Sequence, residues 1–318
     1  MLTATEKKIY HHPYEVGIMK ALMNTKLYSP VGFGSNRLTS LLNDISFKFM
    51  FSRNPYSRLL SAFIDKLVPP NPYYWNGFGH NAIVRFRKDK DAKANAASPG
   101  HDVTFAEFLK YVVSVEREPR MPDPHLASIK RMCKPCSFSY TYIGKMENFK
   151  EDTFFIMKKL GMNRSIEILK DSFSNYSTDD AITDSIYSPF EWKKKILTII
   201  SWDKALQRIW LKLQMRGIIS MDIKLDTSDV RLKNVTADAF INIAREAHAS
   251  SDPELLKLQK EMVKKEAFAS VPLADIKEFR DLFHDDFVVF DYEPSPSAIF
   301  DRRDQQPPPR FFNYQHLY

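Results

Sequence analysis

Apolar and polar positions along this chain predict a strand that leads directly into a helix near residue 50. The run from Phe47 to Phe51 is mostly apolar, which is typical of a short buried strand. From Pro55 to Leu67 the apolar residues fall three and four positions apart, so they form one stripe along a helix. Pro55 fits the first turn of that helix without losing a hydrogen bond, and Pro69 and Pro70 end it.

A second strand, turn and helix follow the same pattern. Residues alternate from Ser139 to Ile143, Gly144 is expected to break the strand, and the segment from Glu147 to Leu160 has helical periodicity. Two units of this kind indicate an α/β fold with a parallel sheet flanked by helices.

Other segments are predicted to be helical. Thr104 and Glu107 have the spacing of a capping box, which starts a helix over residues 105–113. An apolar stripe predicts a helix that is capped by Ser201 and ends at Gly217. It comprises Ala205, Leu206, Ile209, Trp210 and Leu213. The remaining helices are predicted at residues 17–24, 38–42, 237–247 and 254–268, and an irregular loop is predicted at 29–35.

A cluster of bases lies in a segment that is predicted to be a mobile loop, residues 85–100. The bases are Arg85, Arg87, Lys88, Lys90 and Lys93. Such a loop either contacts an acidic glycan acceptor or is simply solvated.

Composition narrows the class of protein. The chain has 318 residues, 44% of them hydrophobic, which is ample for a core and excludes a disordered protein. The net charge of +7 favours polyanionic partners, and nucleic acid, sulfated glycans and anionic lipid all fit on charge alone. No apolar segment is long enough to span a bilayer and no signal region follows Met1, so the chain as written is expected to be soluble. Sequons at Asn163, Asn175 and Asn234 would fit a secretory route.

The two cysteines, Cys133 and Cys136, offer little chemistry. A zinc site needs four ligands and the sequence has no second cysteine pair, so no metal site is predicted. In an oxidising lumen the pair would form a local disulfide, and in the cytosol the two would be thiols. A thioredoxin-like role is not predicted, because the pair does not open a helix after a strand.

The start of the helix at Pro55 has the residues of an anion site. Arg53 precedes the first turn, where free N–H groups and the helix dipole favour an anion, and Arg58 and Ser61 share one helix face. A guanidinium and a hydroxyl suit a phosphate monoester. The alternative is an ordinary strand, turn and helix with a surface arginine.

Three motifs resemble those of the Golgi carbohydrate sulfotransferases, the group with the HNK-1 and chondroitin 4-O enzymes. The pattern Arg-x-Pro-x-x-Arg-Leu-x-Ser-Ala-Phe from Arg53 to Phe63 resembles their 3′-phosphate-binding motif. The segment from His125 to Glu147 is similar to their His-Trp…Cys-x-Pro-Cys…Tyr-x-Phe-Ile-Gly-Lys-x-Glu run, with Leu126 in place of the tryptophan. The third motif, from Phe283 to Tyr292, more weakly resembles the Asp-Phe-x-x-Phe-Gly-Tyr pattern of that family.

The resemblance implies a P-loop-like sulfotransferase fold and a specific donor. That donor is 3′-phosphoadenosine 5′-phosphosulfate, with Arg53 and Ser61 matching the ligands of its 3′-phosphate and Arg58 in the same motif. The acceptor is a glycan, acidic or neutral, and nucleic acid is not a partner. His125 matches the family's histidine and is the candidate catalytic base, although a histidine beside prolines can also be structural. Lys145, at a strand end, could approach an anion or be solvated.

One part of the family pattern is missing from this sequence. The family begins with a strand ending in Pro-Lys-x-x-Cys-Thr, which holds the 5′-phosphosulfate, and the nearest approach here, Pro13 to Gly17, lacks the lysine, cysteine and threonine. The expectation is that an N-terminal piece with this loop and a Golgi membrane anchor is absent from the sequence, which would place the enzyme in the Golgi lumen. The alternative is a non-catalytic relative that acts as a binding or interaction module. A P-loop kinase is excluded because no Gly-x-x-x-x-Gly-Lys-Ser/Thr run occurs.

The predicted domain organisation follows the extent of the resemblance. Residues 1–162 are predicted to form the sulfotransferase core without its 5′-phosphosulfate loop, and 272–300 its C-terminal part. Between them residues 163–271 are predicted to be a helical insert that shapes an acceptor groove or binds another subunit. Residues 301–318 are predicted to be a flexible tail.

Overall fold

The computed structural model describes residues 47–88, 92–301 and 310–312. The predicted helices at 17–24 and 38–42, the loop at 29–35 and Lys90 lie outside these residues. The chain divides into two compact units. Within the described residues, the first unit comprises 47–53 and 133–180, and the second comprises the rest.

The described part of the chain is mainly helical and has one small parallel sheet, which confirms the α/β prediction in this coarse form. The strands are β1 (Phe49–Ser52) and β2 (Tyr142–Lys145). Short turns of π-helix and 3-10 helix lie at Trp75–Gly79, Met146–Asn148 and Val230–Leu232. The α-helices are α1 (Pro55–Lys66), α2 (Pro72–Tyr74), α3 (His80–Phe86), α4 (Ala92–Ala97), α5 (Phe105–Glu116), α6 (Ile129–Cys133), α7 (Phe149–Lys159), α8 (Asn163–Leu169), α9 (Phe173–Glu191), α10 (Lys193–Ile196), α11 (Trp202–Met215), α12 (Ala237–Ala249), α13 (Pro253–Ala269), α14 (Leu273–Leu282), α15 (His284–Val289) and α16 (Ser297–Phe300).

In the first unit, β1 and β2 pair in parallel and Gly144 lies inside β2. The register pairs Phe51 with Gly144, and a Cβ atom on Gly144 would lie 2.7 Å from the Phe51 ring. The prediction that Gly144 breaks the strand is therefore wrong. Glycine is used here because the Phe51 ring, which also contacts the Phe149 ring at 5.3 Å, occupies the space of a side chain.

In the second unit, α1 forms as the sequence predicts. Pro55 is its first residue, and the Asn54 side chain caps it by accepting hydrogen bonds from the Tyr56 and Ser57 amides. The predicted apolar stripe is buried; it comprises Leu59, Leu60, Phe63, Ile64 and Leu67. The helix therefore has its predicted face in the core of its unit.

The C-terminal end of α1 is closed by residues that are distant in sequence. Arg208 of α11, fully buried, donates from Nε to the Val68 carbonyl at 2.7 Å and from Nη2 to the Leu67 carbonyl at 2.8 Å. The Trp75 indole also donates to the Leu67 carbonyl at 3.0 Å, and the Arg208 guanidinium lies 5.0 Å from the Trp75 ring. These contacts satisfy the carbonyls of Leu67, the C-cap residue of α1, and of Val68, which would otherwise be buried without partners.

α11 lies on the same core as α1, although it was predicted to be part of an insert. Its predicted apolar stripe is buried as expected. Lys212 on the same helix is also buried, and its ammonium binds Asp65 of α1 at 2.7 Å. Of the described residues, 54–88, 92–132, 181–301 and 310–312 belong to one unit. The predicted division of the chain into a sulfotransferase core and a helical insert stays a prediction.

Two predicted irregular segments are partly ordered. Arg85 lies in α3 and residues 92–97 form α4, so the prediction of a mobile loop over 85–100 is wrong in these parts. Arg87 is not solvated but pairs with Asp102 and Glu107 at 2.5 and 2.8 Å.

The predicted tail contains an anchored segment at 310–312, where the Phe311 and Phe312 amides donate to Glu266. No α-helix of the described residues has the length and apolar composition to cross a membrane.

Candidate functional site

The start of α1 differs from the predicted anion site in one respect. The Tyr56 and Ser57 amides donate to the Asn54 side chain at 3.1 and 3.2 Å, so these N–H groups of the first turn are not free for a ligand. Asn54 was not predicted as a cap. An anion near this helix would therefore be bound through side chains.

The three arginine and serine candidates are distributed over both units. Arg53 follows β1 in the first unit, where it is half-buried. Arg58 and Ser61 lie on α1 in the second unit and are also half-buried. The role of Arg53 and Ser61 in donor binding stays a prediction.

His125 lies in the second unit next to a carboxylate that orients it. The Asp123 Oδ1 atom lies 2.6 Å from the His125 Nδ1 atom and also accepts the His125 amide at 2.9 Å. The Asp123 carbonyl accepts the Leu126 and Ala127 amides at 2.8 and 3.0 Å, which closes a tight turn. The Tyr74 ring meets the imidazole edge to face, with centroids 5.8 Å apart. The ring is therefore held on two sides.

This arrangement fixes which nitrogen of His125 carries a proton. A carboxylate only accepts hydrogen bonds, so Nδ1 donates and the neutral ring has its lone pair on Nε2. The His125 side chain is 44% exposed, so a ligand in solution can reach it. An oriented imidazole whose Nε2 lone pair can accept a proton is suited to act as a general base.

Arg58 holds the chain on both sides of His125. Its guanidinium donates to the Ala127 carbonyl at 2.5 Å and to the Pro124 carbonyl at 2.7 Å. These two bonds use the fork of the guanidinium, which a lysine cannot reproduce. We define residues 123–128 as the histidine segment. Arg58 therefore contacts the histidine segment. Its predicted contact with the donor stays a prediction.

We expect Arg58→Lys to lower the free energy of unfolding by about 2 kcal/mol, because a hydrogen bond to a charged group is worth roughly 1.5–3 kcal/mol. Urea denaturation of the full chain measures this. Arg85→Lys is the matched control, since the 43%-exposed Arg85 side chain contacts Ser114 and Glu118 at 3.3 Å and lies 5.5 Å from the Tyr111 ring, with no bond to the histidine segment among these. Arg85→Lys should lower the free energy of unfolding by less than about 1 kcal/mol. Equal losses in the two variants would show that the histidine segment does not depend on Arg58.

Two buried carboxylates hold the residues that follow His125. Glu116 accepts the Ser128 amide at 3.2 Å, and Asp286 of α15 accepts the Ile129 and Lys130 amides at 2.7 and 2.8 Å. Asp286 is only 2% exposed, and burial raises the pKa of its carboxyl above the ordinary value although the two amides oppose this. The first amides of α6 are thus satisfied by a residue far along the chain.

The other candidates lie in the first unit. The Lys145 amide donates to Asp152 at 2.6 Å, and the Tyr142 hydroxyl donates to the other oxygen of that carboxylate at 2.8 Å. Cys133 and Cys136 are both free thiols, and the Cys133 carbonyl accepts the Tyr140 hydroxyl at 2.8 Å. The roles of Lys145 and of the two cysteines stay predictions.

Comparison with known proteins identifies the family. A model of the sulfotransferase family matches residues 23–212, which is more than half of the chain. The chain belongs to the sulfotransferase family. The match continues past residue 162, so similarity to the sulfotransferase family extends into the segment that was predicted as an insert.

Several relatives are named carbohydrate sulfotransferases. Human carbohydrate sulfotransferase 8 is 36% identical over 119 residues, which cover 37% of this chain and 27% of that protein. Carbohydrate sulfotransferase 12 of Xenopus laevis is 30% identical over 165 residues, 50% of this chain and 39% of that protein. Carbohydrate sulfotransferase 11 of Rattus norvegicus is 26% identical over 186 residues, 58% of this chain and 52% of that protein. The chain thus matches between about a quarter and a half of the length of these relatives. No solved structure matches it.

The sequence predicts His125 as a site residue but does not predict the residues that hold it. Asp123 lies two positions before His125, and an Asp-x-His spacing in a turn is a signal that could have been used. Glu116 and Asp286 give no such signal. Their contacts with the Ser128, Ile129 and Lys130 amides depend on the tertiary fold.

Proposed function

We propose that this chain transfers a sulfuryl group from 3′-phosphoadenosine 5′-phosphosulfate to a hydroxyl of a glycan. The observation that carries the proposal is the Asp123–His125 pair, which holds an exposed imidazole side chain on a member of the sulfotransferase family. The names of the relatives support a carbohydrate as the acceptor.

The pair suits the proton transfer that such a reaction requires. As the acceptor oxygen bonds to sulfur, its proton passes to Nε2 of His125, and the bond between sulfur and the leaving phosphate oxygen breaks. Asp123 stabilises the resulting imidazolium through Nδ1. The products are a sulfate ester, adenosine 3′,5′-bisphosphate and a protonated His125. Arg58 takes a positioning role in this proposal, because it binds the carbonyls on either side of His125.

The donor part of the proposal rests on the sequence motif. A guanidinium at Arg53 and a hydroxyl at Ser61 fit a phosphate monoester, so we assign both to the 3′-phosphate. No described residue is assigned to the 5′-phosphosulfate. A P-loop-like sulfotransferase fold and a place in the Golgi lumen belong to the same proposal.

The test is a transfer assay with isotopically labelled donor and a panel of neutral and acidic oligosaccharides. Label in at least one oligosaccharide is expected. If no oligosaccharide is labelled although adenosine 3′,5′-bisphosphate binds, the chain is a binding module and the proposed catalysis is wrong.

Arg53→Ala is expected to weaken the binding of adenosine 3′,5′-bisphosphate roughly 10-fold to 150-fold, because charged hydrogen bonds to phosphate are lost. Calorimetric titration of the full chain measures the affinity. The matched control is Arg164→Ala, since Arg164 is an exposed arginine of α8 in the same unit. Unchanged affinity in Arg53→Ala, or an equal loss in both variants, would contradict the assignment of the 3′-phosphate.

A further inference from the structure

A cleft of about 440 Å³ lies next to the histidine segment in the second unit. This volume is within the range of roughly 300–1,000 Å³ that is typical of small-molecule sites. Its walls come from the π-helical turn at Trp75–Gly79, from α5, from the turn that follows α5 and from the start of the histidine segment. The lining includes three charged side chains, Glu118, Arg120 and Asp123, and three apolar ones, Val115, Met121 and Leu126.

The cleft is coupled directly to His125. Asp123 lines it and at the same time binds the His125 Nδ1 atom at 2.6 Å. Pro124 and Leu126, the two neighbours of His125 in sequence, also line it. A molecule in the cleft therefore contacts the same turn that carries the imidazole.

The cleft is lined by three charged side chains, those of Glu118, Arg120 and Asp123. Glu118 pairs with Arg85 at 3.3 Å, and Asp123 pairs with His125. Within residues 47–88, 92–301 and 310–312, the Arg120 guanidinium makes no hydrogen bond or ion pair, and its side chain is exposed. The Arg120 guanidinium is thus available to an anionic group of a ligand, while the Asp123 carboxylate in the same lining accepts the His125 Nδ1–H.

The rim that carries Arg120 is fixed by the backbone contacts of Arg131. The Arg131 guanidinium donates to the carbonyls of Glu116, Glu118 and Arg120 at 2.6, 3.2 and 3.1 Å. A rim that is already ordered does not lose conformational entropy when a ligand binds. Arg120 therefore projects from a rigid turn.

We propose that this cleft binds the acceptor glycan and that Arg120 binds an anionic group of that glycan, a carboxylate or a sulfate. A guanidinium matches either group with two parallel hydrogen bonds. The apolar surface of Val115, Met121 and Leu126 suits the C–H face of a sugar ring. The inference rests on the proposed function, because it names the acceptor of the same site as an acidic glycan.

Calorimetric titration of the full chain without donor tests the inference separately from catalysis. The probes are an unsulfated oligosaccharide that contains glucuronic acid, its carboxyl-reduced form, a sulfated oligosaccharide free of uronic acid and its desulfated form. We expect binding of at least one acidic probe, and roughly 10-fold to 150-fold weaker binding of its neutral counterpart. The probe pair that shows the difference identifies the anion as carboxylate or sulfate.

Arg120→Ala should weaken the binding of the acidic probe by the same factor and leave the binding of its neutral counterpart unchanged. Arg117→Ala is the matched control, because Arg117 lies three positions earlier, pairs with Glu278 at 2.6 Å and does not line the cleft. Arg117→Ala should leave the affinity unchanged. The inference is overturned if no probe binds, if neutral and acidic probes bind equally, or if both variants behave alike. Sulfate transfer with unchanged glycan affinity in Arg120→Ala would overturn the inference but leave the proposed function intact.

Discussion

His125→Ala is expected to lower the rate of sulfate transfer by about 10²–10⁴-fold, the usual contribution of a general base. The affinity for adenosine 3′,5′-bisphosphate should not change, because that product carries no acceptor proton. The physical reason is the orientation of the ring, with Nδ1 bound to Asp123 and Nε2 exposed. A transfer assay at saturating donor and glycan, with a separate titration of the bisphosphate, measures both quantities.

Two further variants make this result specific. Asp123→Ala should give a rate between those of the unaltered chain and His125→Ala, because the imidazole is still present but is no longer oriented. His284→Ala is the control, since His284 is an exposed histidine at the start of α15. It should keep the full rate. If His125→Ala retains more than a tenth of the rate, His125 is a structural histidine and another group accepts the proton.

Asp65→Asn is expected to lower the free energy of unfolding by about 3–5 kcal/mol, the usual effect of removing one partner of a buried ion pair. The Lys212 side chain is only 4% exposed, and its ammonium lies 2.7 Å from the Asp65 carboxylate. Without that carboxylate the ammonium would be buried with its main partner removed. Urea denaturation measures the loss. Asp281→Asn serves as a control, because the Asp281 carboxylate is 66% exposed and its pairing with Arg280 should contribute less than about 1 kcal/mol.

The double variant Asp65→Leu with Lys212→Met separates charge from packing. Replacing both partners of a buried pair with apolar residues of similar size is often neutral for stability. The double variant should therefore be more stable than Asp65→Asn. A double variant less stable than Asp65→Asn would show that the pair contributes through its shape and not its charge.

The Asp65–Lys212 ion pair also predicts how the destabilisation caused by Asp65→Asn depends on pH. Burial alone would raise the pKa of Asp65, but the ammonium groups of Lys212 and Lys66 lower it well below the ordinary value. A carboxyl with a lowered native pKa stabilises the fold above its unfolded pKa, and this stabilisation is lost as the pH falls towards the native value. The difference between the unaltered chain and Asp65→Asn should thus shrink by about 1 kcal/mol between pH 6 and pH 3. A constant difference would contradict the assignment.

Local patterns predicted the elements that depend on neighbouring residues. The helix at Pro55, the capping box at Thr104 and the apolar stripe of α11 are all confirmed, because each depends on spacings within a few turns. The Gly144 prediction is wrong because the Phe51 ring, not the local sequence, decides the use of glycine there. The Asp286 cap of α6 could not be predicted, since 157 positions separate Asp286 from Ile129.

Arg208 closes the end of α1 although it lies 140 positions after Val68. Ribosomes add roughly 5–20 residues per second, so Arg208 is synthesised about 7–28 s after Val68. During that interval the Leu67 and Val68 carbonyls lack this partner, and the apolar stripe of α1 has no α11 to pack against. The second unit therefore folds only after most of the chain has been synthesised, which makes the nascent chain a target for chaperones that bind apolar segments.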